Sequence, residues 1–316
     1  MSQSASLAIV TLVSAEKKER RKVSEGIFAV IYGPSKTGKS TATGAAGAGG
    51  LFIAQTGGLL PLKKFLGLEK VNAKMASGVQ EAGDIVAKAA GKVPTIVVDD
   101  FSLLTEVTVT ALEKKHSFGE MWRNLRSQVL FMRDSARYAT SKGTHVFFNC
   151  HMAPPKTSSG KYVRGGPKLP GQLPEQFASF ADVVAKVEYE ETAAPWKYVF
   201  RTGPNPEYVS GDRLDIFPDP APMNLGEAMR ASGYELARPK GLEWMEDIAE
   251  KSSQLVLEKG VENWRDTLKK VGEKLVGQKD LRHIRWALQD SLHRAVIKNA
   301  GENILDRMFV DEQENW

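Results

Sequence analysis

The chain has one cysteine, Cys150, among its 316 residues. A single thiol excludes an internal disulfide framework and a zinc site built on cysteines. Long apolar runs are missing as well: none reaches the roughly 20 residues of a membrane-spanning helix, and the apolar patch at 6–14 is short. Basic residues follow that patch instead of preceding it, the wrong order for a secretory leader. These absences lead us to expect a reducing, cytoplasmic setting and no membrane partner. No internal repeat is visible. A further absence is local: residues 152–174 contain no acidic side chain.

What remains is the make-up of a globular protein, 42% apolar and 26% charged, long enough for a full α/β core and a smaller second domain. The net charge of +5 is a spread-out excess that leans only modestly toward polyanionic partners. The chain is organised around residues 28–41, Phe-Ala-Val-Ile-Tyr-Gly-Pro-Ser-Lys-Thr-Gly-Lys-Ser-Thr. An apolar strand runs into Gly33-x-x-x-x-Gly38-Lys39-Ser40, a loop whose backbone N–H groups cradle phosphates. Chance alone would assemble this pattern in roughly one chain of this length in a hundred. The strand before it and the helix that can open at Lys39 supply the context the motif requires. The expected ligand is ATP with Mg²⁺, lined by Gly33, Pro34, Ser35, Lys36, Thr37, Gly38, Lys39, Ser40 and Thr41. Lys39 is expected on the β- and γ-phosphates and the Ser40 hydroxyl on Mg²⁺.

Ahead of the loop, residues 1–25 form an arm with the run Glu16-Lys-Lys-Glu-Arg-Arg-Lys22. Mixed signs suit a solvated helix face, and a nucleic-acid contact or a link between subunits is the alternative. After the loop the glycines at 44–50 stop the helix and lead to a strand at 51–55. Thr95-Ile-Val-Val-Asp99-Asp100 reads as a parallel strand buried on both faces that ends in two carboxylates. Asp99 is the expected Mg²⁺ carboxylate. Residues 105–142 are helical by spacing, with Met121, Leu125, Val129 and Met132 on one stripe. A second buried strand, His145-Val-Phe-Phe-Asn-Cys-His151, ends where open parallel sheets bind ligands, so His151 and Asn149 are candidates to sense the γ-phosphate.

The acid-free stretch 152–174 is rich in Pro, Gly and Ser and carries Lys156, Lys161, Tyr162, Arg164 and Lys168. It reads as a long loop without structure of its own. Cations around a ring suit single-stranded nucleic acid, with charge for phosphates and a face for stacking; a merely solubilising loop is the alternative. From residue 181 the pattern becomes antiparallel, with strands at 183–190, 196–202 and 208–210. Lys197, Arg201 and Arg213 are exposed sheet charges or, in a head-to-tail assembly, arginine-finger-like contacts to a neighbour's nucleotide. Three prolines in 218–222 read as a linker, after which residues 223–316 show three helical stripes. The expected architecture is therefore an α/β core over 26–222, mostly parallel with an antiparallel extension, followed by an α-helical C-terminal domain.

In this order the pieces resemble the RecA-like P-loop ATPases encoded by bacteriophages, the phage nucleotide-binding proteins that include single-strand annealing recombinases. The resemblance spans residues 28–218. It rests on the phosphate loop, Leu51-Phe-Ile-Ala-Gln-Thr-Gly-Gly58, Ile96-Val-Val-Asp-Asp100, Cys150-His151, Gly166-Pro-Lys-Leu-Pro-Gly171, Phe180-Ala-Asp-Val-Val184 and Gly211-Asp-Arg213. It implies ATP hydrolysis, a homo-oligomeric ring or filament, and work on single-stranded DNA in recombination, annealing or replication, beside single-strand-binding or replication proteins in the host-cell cytoplasm. Two positions depart from the family. Thr56 stands where a water-activating glutamate is common, which leaves Asp100 as candidate base, or slow hydrolysis. Gly211 stands where a lysine often precedes the Asp-Arg pair, which leaves Arg213 as the finger candidate. The rival readings are a ring helicase or packaging motor, and a nucleotide-gated assembly protein with little turnover.

Overall fold

A computed structural model describes residues 25–46, 49–54, 71–158, 160–190, 198–217, 219–223 and 225–236, with helical positions at 251, 254, 255 and 258. The arm at 1–24, Thr56, Lys197 and nearly all of the expected C-terminal helices lie outside the described residues.

The four apolar runs form strands with their side chains withdrawn from water: β1 (Phe28–Gly33), β2 (Leu51–Ala54), β4 (Thr95–Asp99) and β5 (His145–Ala153). With β3 (Ala73–Lys74) and β9 (Val183–Tyr189) they build a parallel array in the order β9-β1-β5-β4-β2-β3. Antiparallel strands extend it. β10 (Tyr198–Arg201) and β11 (Gly211–Asp212) pair with β9, β12 (Ala221–Pro222) pairs with β10, and β8 (Gly166–Pro167) pairs with the end of β5. The strand at 183, expected to be purely antiparallel, thus joins the two parts: parallel to β1 on one side and antiparallel to β10 on the other.

Successive strand residues point to opposite faces, so the sheet has two cores. Phe28, Val30, Tyr32, Val98 and Phe148 pack under α2 (Val79–Ala89), α3 (Phe101–Glu113) and α4 (Phe118–Ser141). Ala29, Ile31, Val97 and Phe147 pack under α1 (Lys39–Ala45) and α6 (Leu225–Ala231). The stripe Met121, Leu125, Val129 and Met132 is buried as expected. The continuous helix expected over 105–142 is instead two, because Ser117 and Glu120 form a reciprocal capping box that starts a new helix.

Two further expectations change. The stretch 152–174 is not structureless: β6 (Lys156–Ser158) and β7 (Lys161–Val163) pair as a hairpin, β8 follows, and α5 (Leu173–Ala178) begins at its end. The proline-rich stretch read as a linker supplies β12, and Met223, Leu225, Met229 and Leu236 continue into the core beside α1.

Candidate active site at the carboxyl edge of the sheet

β1 delivers the chain to the phosphate loop with Gly33 directly beside His151 of β5. Lys36 and Gly38 adopt left-handed backbone, φ 64° and 91°, a habit that curls a loop into an anion-binding concavity. No side chain caps α1, so its first N–H groups remain available to a phosphate. Lys39 is buried, and its Nζ donates to the carbonyls of Gly33 (3.1 Å) and Pro34 (2.6 Å). Burial holds its ammonium below the ordinary lysine range, while Asp100 and Asp99 pull it back up.

Asp99 closes the other side. Burial pushes its carboxyl above the usual range, opposed by hydrogen bonds from Ser40 and Asn149. The Asn149 amide donates to Asp99 Oδ1 (3.1 Å) and to Thr43 Oγ1 (3.0 Å), which ties the β4 carboxylate to α1. Both amide hydrogens are thereby committed. Asn149 orients Asp99 and has no donor left for a γ-phosphate, contrary to the expectation from its position. Its carbonyl oxygen is buried without a hydrogen-bond partner among the described residues.

Asp100 starts α3: its Oδ1 accepts from the backbone N–H of Ser102 (2.8 Å) and, more weakly, of Leu103 (3.4 Å). Its Oδ2 lies 2.6 Å from His151 Nε2, and His151 Nδ1 lies 3.2 Å from Ser35 Oγ of the phosphate loop. The backbone of His151 is fixed on both sides, donating to Ser102 Oγ (3.0 Å) and accepting from Lys168 N–H (2.7 Å). Ser35, His151 and Asp100 thus form one connected bridge across the edge.

Comparison with known proteins fits this geometry. A family model described as an AAA domain matches residues 25–214, which include every site residue above. The chain belongs to the AAA domain family. It is a P-loop NTPase domain, with β5 inserted between the loop strand and the strand that bears Asp99. Solved structures are similar at low identity. The RadB recombinase is 14% identical over 57% of this chain and 89% of that chain, with a TM-score of 0.36. Flagellar accessory protein FlaH from Methanocaldococcus jannaschii is 10% identical over 68% and 83%, also at 0.36. KaiC-like protein PH0186 from Pyrococcus horikoshii OT3 is 14% identical over 56% and 78%, at 0.34. At those scores none supports a functional assignment. No curated protein matched the sequence. Among the described residues no helix is long and apolar enough to cross a membrane.

The AAA domain implies Mg²⁺ with the nucleotide, and the residues present fit it. Among the described residues no group of three or more His, Cys, Asp or Glu could hold a metal alone. Mg²⁺ with a nucleotide needs no such cage, since one or two protein ligands are completed by phosphates and water. A buried Asp99 whose charge is penalised by desolvation, hydrogen-bonded to Ser40, is a donor set that a cation would relieve.

The remaining expected site residues fall elsewhere. Arg213 donates to the carbonyls of Asp182 and Ser179 at the amino edge, level with Phe28. Five residues of β1 separate that point from the loop, about 16 Å. It is too far away to serve the nucleotide of its own chain. Arg201 pairs with Glu188, Glu190 and Asp219 in its own chain. On the hairpin, Lys156 pairs with Val163 and Tyr162 with Thr157, so Lys156 and Tyr162 emerge on opposite faces. Tyr162 and Arg164 are exposed, whereas Lys168 is bound to Glu106 at 2.8 Å. The hairpin's base is fixed by Gly165, where a Cβ would lie 2.6 Å from the Tyr208 ring. Tyr208 also carries the buried Lys186 ammonium over its face at 3.8 Å. Sequence reasoning missed Asn149's orienting role and the Ser35 link, both of which depend on contacts far apart in the chain.

Proposed function

We propose that this chain is an ATPase that assembles head to tail and acts on single-stranded DNA in phage recombination, annealing or replication. Lys39 neutralises β- and γ-phosphate charge, Ser40 and Asp99 hold Mg²⁺, and Asn149 keeps Asp99 aimed. Bound there, Mg²⁺ would offset phosphate charge as the terminal phosphoryl group is transferred. Arg213, at the edge opposite the loop, is the residue that a neighbouring subunit would present to the nucleotide. The observation that carries the DNA reading is the hairpin. It rises from β5 directly after His151, bears Lys156, Lys161 and Arg164 without an acidic residue, and exposes Tyr162 for stacking.

The test replaces Lys156, Lys161 and Arg164 together with Ala and follows single-stranded DNA binding by anisotropy at several salt concentrations. Removing one cation from a DNA phosphate flattens the log–log salt slope by about 0.7, so about two units are expected, with basal ATP hydrolysis retained and DNA stimulation gone. Wild-type binding by the triple variant moves the DNA site elsewhere. No binding by the wild type rejects the DNA role. The second reading, a nucleotide-gated assembly protein with little turnover, then takes precedence, favoured by Thr56 at the position of the common glutamate.

A further inference from the structure

We infer that His151 is the group that takes the proton from the attacking water, and that Asp100 is its positioning residue. The inference rests on the ATPase reading and assigns the base within that site.

Asp100 is poorly placed to act alone. One oxygen is committed to the start of α3 through Ser102 and Leu103, and the other to His151. His151 has the complementary arrangement. Its Nε2 faces the Asp100 carboxyl at 2.6 Å, an acceptor that in a neutral ring favours the proton on Nε2 and leaves the lone pair on Nδ1. That lone pair points to the phosphate loop, where it is met by the exposed Ser35 hydroxyl at 3.2 Å, the place that the attacking water would take, and register puts His151 beside Gly33. The backbone that carries the ring is fixed by bonds to Ser102 Oγ and from Lys168 N–H, and the ring itself is bracketed by Asp100 and Ser35. The charges around the pair are Lys39 and Asp99 on the nucleotide side and Lys168, held by Glu106, on the hairpin side. Their signs alternate, which leaves Asp100, among the described residues, as the charge in direct contact with the ring.

The step balances with water alone as co-reactant. A lone pair of the water oxygen forms the bond to the γ-phosphorus while the bond from that phosphorus to the β,γ-bridging oxygen breaks. That electron pair leaves on ADP, beside Lys39. The water proton passes to Nδ1, and the imidazolium that results is paired with the Asp100 carboxylate. With the His151 side chain 38% exposed, the proton then leaves to solvent as phosphate departs.

The experiment has two arms. In the ligand-free wild type, nitrogen-15 NMR of the histidine rings at mildly alkaline pH is expected to show His151 as the Nε2-protonated tautomer, and Asp100→Asn is expected to abolish that preference. The second arm measures MgATP affinity and single-turnover hydrolysis separately. His151→Gln should bind MgATP within a few-fold of wild type and lose about 10²–10⁴ in the chemical step, the usual worth of a general base. Asp100→Asn should lose less, and the double variant should be no worse than His151→Gln, since the two act as one unit. An Nδ1-protonated His151 in the wild type overturns the inference without any variant having to fold. So does a His151→Gln enzyme that binds MgATP and hydrolyses it at near wild-type rate, an outcome that leaves the ATPase reading intact. If the wild type neither binds nor hydrolyses MgATP, both fall together.

Discussion

The two edges of the sheet use the same chemistry to opposite ends. At the amino edge stand Asp182, Arg137 and His145; at the carboxyl edge stand Asp99, Lys39 and His151. Asp182 accepts from the backbone N–H of Phe28 (2.9 Å) and from Arg137, whose guanidinium also covers the Phe28 ring. His145 Nδ1 accepts from the N–H of Ile27 at 3.1 Å. These groups finish the entry into β1, and their hydrogen bonds close on the protein itself. At the carboxyl edge, burial disfavours the charged forms of Asp99 and Lys39, and a buried amide oxygen has no hydrogen-bond partner among the described residues. Similar sets of an acid, a base and a histidine are thus structural or ligand-directed according to which end of a parallel strand they occupy, because only the carboxyl ends open onto the switch point between strands.

The comparison can be broken by showing that either edge does the other's work. The largest expected effect is on acid stability. Burial holds His145 down to about 4 from its ordinary 6.5. Between those values the unfolded chain takes up a proton that the folded chain refuses. Stability from this group is therefore complete above pH 6.5 and falls by about 3 kcal/mol as pH drops to 4. Thermal unfolding across that range should be less steeply pH-dependent in His145→Gln, with MgATP affinity unchanged. Next is Asp182→Ala, which strands Arg137 and the Phe28 N–H. A cost of about 2 kcal/mol is expected, below that of a fully buried pair because the Arg137 side chain is 38% exposed. Chemical denaturation measures it, and a matching loss of nucleotide affinity would contradict the division of labour.

The carboxyl-edge variants should do the reverse. Lys39→Ala should cut turnover at least about tenfold, roughly 1.4 kcal/mol, while stability holds or rises, since a desolvated ammonium is removed. Asn149→Ala should mainly raise the Mg²⁺ concentration needed for ATP binding, by about tenfold, as loss of a group that orients a metal ligand does. A magnesium titration of nucleotide binding checks it.

Much of the core was legible because the four buried strands begin as unbroken, mostly apolar runs, β-branched above all in β4, and the loop motif marks its own ends. The helix break at Ser117 was hidden by an apolar spacing that continues across it, although Ser117-x-x-Glu120 carried the signal. The hairpin was hidden by its Pro, Gly and Ser content, yet Ser159-Gly160 between two short alternating segments is a turn signature. The Ser35–His151 contact, 116 residues apart, and the Asn149–Thr43 contact, 106 apart, had no local signature at all. Such links are set by strand order, which puts β5 between β1 and β4.

The most direct test is the stabilisation of the protein by MgATP, read as the shift in unfolding free energy for wild type, Asp182→Ala and Lys39→Ala side by side. At a nucleotide concentration a hundredfold above the dissociation constant, the wild type should gain about 2.7 kcal/mol. Asp182→Ala should gain the same from its lower starting point, and Lys39→Ala should gain clearly less. Equal gains for Lys39→Ala and wild type, or a gain lost in Asp182→Ala, would contradict the assignment of ligand binding to the carboxyl edge.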